Sequence, residues 1–514
     1  MTKTKASKKE INPQKTYGEI FNQNLDTENV FPRLIRQVRF DSFRQIRNLT
    51  INFTSPVTVV SGTNRCGKTT ILLSIACSHF DFKKRNYSNG KLERQTWSNV
   101  LKSVDHDKQN SDWTYHLQIK TGAKLEERRG QRKLLTKKWN GLGKKESQIV
   151  GVAVVYLDLD RILPARYYSS VLQKNAQKAT GTDVSTIHQK YIETCLSYIF
   201  EETYFVQKLF NHNGRDIFGF SNGNKYSSLN SASGEDVLSR ILIDCIEAPQ
   251  NSLILIDELE LGLHPKIQRR LMDIIFHISL TEQKQFVITS HSSTVISSVP
   301  ESSRIFIDNN GSTQQVISPI SINAALSKMD SECYPLIDLF CEDDIAERII
   351  NKAKNNIQSQ SIDSRLINVI VSGSATDTYL NFLVRTRIYS KVSIKSGHSC
   401  VLDGDMQNLL NKNGQHQFPA QDGLFFLLGN DPPEKILCDS YESQNQNSKL
   451  RYHIKSSNVH CLFDKMIELG LFTNIDAAFE ASWAAFISTT NGTLAFQNLI
   501  DFLVNECRRY SPDL

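Results

Sequence analysis

Long apolar runs are missing from this 514-residue chain. None approaches the roughly 18 residues of a membrane-crossing helix, so no span is expected. Its ten cysteines stand without a C-x-x-C pair or a His/Cys cluster. That argues against structural zinc and, in so long a chain, for reduced thiols in a cytoplasmic setting. The opening residues, MTKTKASKKEINPQKT, lack the hydrophobic stretch of a secretory signal. Residues 1–30 are basic and polar and are expected to form a flexible tail. Sustained heptads are absent too, so the segment at 169–215 is expected to hold two or three helices rather than a coiled-coil rod. A net charge of +6 is too small to indicate nucleic acid by itself.

What is present is an ordinary globular composition, 39% hydrophobic and 22% charged, and length for roughly three domains. One local excess stands out. Residues 124–145 carry nine Lys/Arg against two Glu and include Trp139. They follow the alternating strand WTYHLQIKTG and read as a basic hairpin on an antiparallel sheet. Arg128, Arg129, Arg132, Lys133, Lys137 and Lys138 form either a solvated face or a phosphate-contacting surface.

The strongest motif is early. An apolar strand (Val57–Val60) runs through Gly62, Thr63, Asn64, Arg65, Cys66, Gly67, Lys68, Thr69 and Thr70 into a helix, the G-x4-G-K-T pattern in strand–loop–helix context. Glycines let backbone N–H groups turn inward on phosphate oxygens, and the helix N-terminus adds its positive end. Lys68 is expected to reach the β- and γ-phosphates and Thr69 to ligate Mg²⁺. Downstream, NSLILIDELELGLHP holds a buried-type strand (Leu253–Ile256) ending in Asp257, for Mg²⁺ through water, and Glu258, for the attacking water. NSASGEDVLSRIL is a Ser/Gly turn opening a helix, and KQFVITSHSS is another strand, ending near His291.

These pieces, in this order, resemble the ABC-type ATPases of the SMC, RecF and OLD group over roughly residues 33–318. The opening RLIRQVRFDSFRQIRNLTINFTSPVTVVSGTN looks like their first antiparallel sheet. The resemblance implies that Gly62–Thr70 is the Walker A loop, Asp257–Glu258 the Walker B end, Ser231–Glu235 the signature and His291 the switch histidine. It implies ATP and Mg²⁺ as cofactors. It also implies a homodimer in which Ser233, Gly234 and Glu235 cap the nucleotide of the other head. Two departures matter: Arg65-Cys66 replaces a usual small pair, and Ala232 stands where a phosphate-binding serine is usual, so slow hydrolysis is expected.

After the hairpin SRIFIDNNGSTQQVI the pattern restarts as strand–helix–strand–helix–strand. The first strand ends at Glu342, followed by Asp343 and Asp344. The third ends in VLDGDM, where strand alternation is expected to put Asp403 and Asp405 on one side. A fourth strand leads to a Pro-stopped turn with Glu434. Strand ends of a parallel sheet meet at its carboxyl edge, so Glu342, Asp403 and Asp405 are expected to converge. The arrangement resembles the Toprim domain of topoisomerases, primases and OLD-family nucleases over about residues 334–440. There a glutamate and D-x-D hold Mg²⁺, with Mn²⁺ as a substitute, for phosphodiester chemistry. Asp343 replaces the glycine that usually follows the glutamate, so the domain is either an active metal centre or a scaffold.

The expected fold is therefore α/β: an ABC-type P-loop ATPase head at 31–330, a Toprim-like domain at 331–445 and a helical segment at 446–514. The leading function is ATP hydrolysis that gates a metal-dependent nuclease, as in the bacterial anti-phage systems Gabija, Septu-like and retron-associated. The alternatives are a nucleotide-switched sensor with an inert Toprim fold that controls a separate effector or nucleic acid, and a RecF-type repair ATPase.

Overall fold

A computed structural model describes residues 11–22, 31–85, 92–101, 109–163, 165, 170, 174, 180–212, 215–309, 314–330, 334–357, 362–389 and 396–511. The chain divides into two compact units, at 329/330. Among the described residues no helix is long and apolar enough to cross a membrane.

The first unit opens with α1 (Pro13–Phe21), β1 (Arg33–Phe43), β2 (Ile46–Asn52), β3 (Val57–Gly62) and α2 (Lys68–Cys77). Next come β4 (His79–Arg85), β5 (Leu92–Arg94), β6 (Trp113–Thr121), β7 (Lys124–Arg132), β8 (Trp139–Gly141) and β9 (Ile149–Leu157). Then follow β10 (Thr182–Asp183), α3 (Gln189–Phe200), β11 (Phe205–His212), β12 (Arg215–Ser221), β13 (Lys225–Ser227) and α4 (Ser233–Glu247). The unit continues through β14 (Leu253–Ile256), α5 (Pro265–Glu282), β15 (Gln285–Thr289), β16 (Arg304–Asn309) and β17 (Gln314–Ile317).

An eight-stranded sheet, ordered β17-β16-β3-β15-β14-β9-β4-β5, forms its centre. The segments VTVVSG, LILI and QFVIT are buried at every residue, as parallel strands covered on both faces must be. Register sets Ile256 beside Ile288 and Val60 beside Thr289. The carboxyl ends of β3, β14 and β15 therefore meet, and the Gly62–Thr70 loop, Asp257–Glu258 and His291 follow from that edge. A second, antiparallel sheet runs β2-β1-β6-β7-β8. It is pinned by the stacked rings of Trp97 and Trp139, 4.6 Å apart.

Two expectations fail here. Part of the supposed flexible tail is a helix: Pro13 starts α1, Asn12 Oδ1 caps it, and Ile20 is buried while Tyr17 and Phe21 pack on Phe276. Residues 1–10 and 23–30 of that tail lie outside the described residues. The segment at 169–215 is not all helix. It contains α3, but Phe205–His212 is a strand in the antiparallel sheet β10-β11-β12-β13. Alternation around Val206, Phe218 and Phe220, all buried, and the turn at Asn222–Asn224 explain the difference. Residues 169, 171–173, 175–179 and 213–214 lie outside the described residues.

The second unit carries β18 (Ile337–Cys341), α6 (Asp344–Ile357), β19 (Ile367–Val371), α7 (Ala375–Ile388), β20 (Gly397–Leu402), β21 (Leu424–Phe426) and α8 (Pro433–Asn445). The strands form an all-parallel sheet, β19-β18-β20-β21. Four helices follow: α9 (Ser448–Ser456), α10 (Leu462–Glu468), α11 (Ile475–Ile487) and α12 (Thr490–Tyr510). The last of these is tied to β20, with Ser399 Oγ donating to Glu506 Oε2 at 2.6 Å and Tyr510 Oη to the His398 carbonyl at 3.1 Å.

One local correction bears on the site. Asp403 and Asp405 do not alternate along a strand: β20 stops at Leu402, and Gly404–Asn408 is a short 3-10 turn. Only glycine fits at the start of that turn. A Cβ there would stand 2.1 Å from the Gly429 carbonyl oxygen and 2.2 Å from that of Leu427.

Candidate functional site

In the first unit, two glycines shape the loop after β3. Gly62 has φ 151°, and a Cβ would come 2.4 Å from the Ile307 carbonyl oxygen. Gly67, at φ 98°, caps α2 without a side-chain acceptor, so the helix's first N–H groups are left for a ligand. Between them Asn64 and Arg65 are exposed and Cys66 is buried. Lys68 Nζ donates to the carbonyls of Gly62 and Thr63, at 3.0 and 3.2 Å. Thr69 Oγ1 donates to Asp257 Oδ2 at 2.8 Å. That is the spacing of neighbouring oxygens around Mg²⁺ with bonds of about 2.1 Å.

Asp257 is buried and held from three sides: by Thr69, by Thr289 Oγ1 on Oδ1 at 2.6 Å, and by Tyr156 Oη on Oδ2 at 3.4 Å. Thr289 Oγ1 also accepts the Glu258 N–H at 2.8 Å. Glu258 sits at φ 48°, rare for a residue with a Cβ, and Arg161 Nη2 donates to its carbonyl at 2.5 Å. The His291 N–H donates to Glu260 Oε1 at 2.6 Å. Burial and then the Lys68 charge pull the His291 imidazole below its ordinary range, so it is neutral near pH 7. A magnesium nucleotide suits these residues: N–H groups and Lys68 for phosphates, Thr69 and Asp257 for the ion, and Glu258 with His291 for the attacking water.

Thr289, Tyr156 and Arg161 were not evident from the motifs. Thr289 alone had a signal, since two parallel neighbours with buried ends bring TSH opposite DE.

The turn before α4 behaves differently from the expectation. Glu235 is engaged inside its own chain, accepting from Tyr204 Oη at 3.0 Å, Tyr226 Oη at 2.8 Å and the Ala232 N–H at 3.2 Å. It stiffens the turn and is not free for nucleotide, whereas Ser233 and Gly234 start the helix beside the Gly262 carbonyl.

The basic hairpin is also sorted. Arg128 donates to the Ser147 carbonyl at 2.7 Å, Arg132 lies over Trp113 at 5.0 Å, and Lys133 pairs with Asp112 at 3.0 Å. Arg129, Lys137 and Lys138 are exposed.

In the second unit, β18 delivers Glu342 and β20 delivers Asp403 to one sheet edge. Glu342 Oε1 accepts the Asp403 N–H at 2.7 Å. Asp403 Oδ1, Asp405 Oδ1 and Glu434 Oε2 are buried with no hydrogen-bond partner among the described residues. Burial, then the Glu342 charge, push the Asp403 carboxyl up to about 9. Burial likewise lifts Glu342 to about 7 and raises Asp405. Carboxyls so placed hold protons unless a cation replaces them. The orphaned oxygens of Asp403 and Asp405, near Glu342, are acceptors of the kind Mg²⁺ or Mn²⁺ takes. Among the described residues, however, the side chains whose ligand atoms all come within 4.8 Å of one another are Asp343, Glu434 and His460, so the expected convergence of Glu342, Asp403 and Asp405 is only partial. Asp343 caps α6, its Oδ1 accepting the N–H groups of Ile345 and Ala346 at 3.0 and 2.8 Å. His460, which no motif marks, places Nδ1 3.0 Å from Glu434 Oε1.

Comparison with known proteins bears on the first unit. Residues 161–297 match the family described as "AAA domain, putative AbiEii toxin, Type IV TA system", and residues 37–226 match "AAA domain". No curated protein matches the chain. Among solved structures, the SMC head domain from Thermotoga maritima is 12% identical with a TM-score of 0.34, covering 55% of this chain and 98% of that one. An Smc head with an extended coiled coil, bound to the C-terminal domain of ScpA derived from Pyrococcus furiosus, is 11% identical with a TM-score of 0.36, covering 57% and 98%. The recombination mediator RecF with ATP is 14% identical with a TM-score of 0.33, covering 56% and 98%. Scores this low carry no weight. The two family matches do, because between them they take in every phosphate-handling residue from Gly62 to His291. Site and matches together make this protein an ATPase, with an AAA-type domain in its first unit.

Proposed function

We propose that ATP turnover in the first unit controls metal-dependent phosphodiester cleavage by the second, a Toprim-like domain of the OLD kind. The observation that carries this reading is the pair of buried, unpartnered carboxylate oxygens on Asp403 and Asp405. Leaving one such acceptor unsatisfied costs about 1–3 kcal/mol, and more for a charged group. Two beside Glu342 make sense when a cation takes them. Mg²⁺ or Mn²⁺ held by Glu342, Asp403 and Asp405 would polarise a phosphate and lower the pKa of attached water. The chain's own part is to hold that set: Glu342 is fixed by the Asp403 N–H, and Gly404 lets the turn that carries Asp405 pack against the Leu427 and Gly429 carbonyls.

The substrate is DNA or RNA, with Arg129, Lys137 and Lys138 as the exposed basic surface that would meet phosphates. Two copies sharing ATP between heads would form a homodimer, the Ser233–Gly234 turn of one facing the nucleotide of the other. One matched family is described as "AAA domain, putative AbiEii toxin, Type IV TA system", which supports a cytoplasmic role in anti-phage defence.

The test incubates the purified full chain with labelled DNA and RNA and Mg²⁺ or Mn²⁺, with and without ATP. Cleavage whose rate changes with ATP is expected. No cleavage under any condition, with ATP turnover intact, would contradict the reading and favour a nucleotide switch acting on a separate effector.

A further inference from the structure

We propose that Asp343, Glu434 and His460 bind a second divalent cation, of the transition-metal class represented by Mn²⁺ and Zn²⁺, beside the Glu342–Asp403–Asp405 group. Each residue offers one ligand atom, and these atoms lie within 4.8 Å of one another. They come from three separate stretches: the cap of α6, the first turn of α8 and the turn before α10. Chain connectivity does not force them together.

Two observations point to an ion rather than a simple pair. His460 Nδ1 and Glu434 Oε1 are 3.0 Å apart, close to the separation of adjacent ligands around an ion with bonds of about 2.1 Å. Glu434 is only 2% exposed, and its other oxygen, Oε2, has no partner among the described residues. A protonated His460 would satisfy one oxygen and leave the second buried beside Asp343. A cation satisfies both carboxylates at once. Asp343 is already oriented for this, because two N–H groups of the α6 cap hold its Oδ1.

The imidazole selects the ion. Mg²⁺ and Ca²⁺ prefer oxygen throughout, whereas a nitrogen ligand suits Mn²⁺, Zn²⁺ and their neighbours. The His460 side chain is 62% exposed, so the outer side of the ion is open to water or a phosphate oxygen. A role in cleavage rests on the proposed function above; binding does not.

The test uses the full chain without nucleotide and Co²⁺ as the probe, read by its visible absorption, with Mn²⁺ competing. Binding is expected in the parent and in Asp405→Asn. It should weaken by more than about tenfold in His460→Ala and Glu434→Gln, and excess Mg²⁺ should not displace the ion. Zn²⁺ should raise the unfolding temperature of the parent but not of His460→Ala. If His460→Ala folds poorly, His460→Gln is read in the same way. Parent-like Co²⁺ binding in both the His460 and Glu434 variants overturns the proposal. Absence of nucleic-acid cleavage with Co²⁺ binding intact would instead strike the nuclease reading alone.

Discussion

Thr289 Oγ1 lies 2.6 Å from Asp257 Oδ1 and accepts the Glu258 N–H at 2.8 Å. One hydroxyl at the end of β15 therefore orients both acidic residues at the end of β14. Thr289→Val keeps the shape and removes the hydrogen bonds, leaving a buried carboxylate oxygen without its donor. At about 1–3 kcal/mol for such a loss, ATP turnover should fall about tenfold or more. Nucleotide affinity should stay within about twofold, and Thr289→Ser should restore the rate. Parent-like turnover in Thr289→Val would remove the residue from the account.

Lys68→Ala should abolish ATP binding, because its ammonium is the fixed cation of the loop. Glu258→Gln should bind ATP and fail to turn it over, because an amide cannot take the proton of the attacking water. Equilibrium nucleotide binding and steady-state phosphate release separate the two. Unchanged release in Glu258→Gln would exclude it as the base.

The central sheet and the phosphate loop were legible because their signals are local: β-branched runs buried on both faces, and glycines at positions of positive φ. The strand–helix alternation of residues 337–445 was legible for the same reason. The site's finer parts were not. Thr289 matters through strand register, Glu235 through two tyrosines on β11's approach and β13, and His460 through the packing of distant helices. Asp403 and Asp405 misled strand-based reasoning because the backbone turns after Leu402, with Gly404 packed against the Leu427 and Gly429 carbonyls, contacts invisible in a linear pattern. The strand at 205–212 was mistaken for helix because its alternation is short.

His79 gives a pH dependence of stability. It is 1% exposed, with Nδ1 2.8 Å from the Ile75 carbonyl, and burial holds its imidazole down at about 4. The unfolded chain takes up that proton near pH 6.5. Stability from this site is thus complete above about 6.5 and is lost as pH falls toward 4, by up to about 3 kcal/mol. His79→Gln, which keeps a donor for Ile75, should lose less. Urea midpoints near pH 7 and near pH 5 test this, and parallel losses in parent and variant would refute it.

On the hairpin, replacing Arg129, Lys137 and Lys138 by Glu should weaken nucleic-acid binding and flatten its salt dependence without loss of stability. Arg132→Ala should cost about 1 kcal/mol of stability instead, since its guanidinium lies over Trp113 and Trp139. Affinity unmoved at two salt concentrations in the triple variant would make the face a solvated one.

The central claim is that the acidic edge of the second unit performs metal-dependent cleavage, and the Asp403→Asn/Asp405→Asn double variant tests it most directly. The measurement is cleavage of labelled nucleic acid with Mn²⁺ and ATP, alongside thermal unfolding and ATP turnover of the same preparation. The variant should fold at least as stably as the metal-free parent, because buried Asp403 and half-buried Asp405 no longer put charge beside each other and Glu342. It should hydrolyse ATP at the parent rate and should not cleave. Cleavage at the parent rate by a folded double variant would contradict the account.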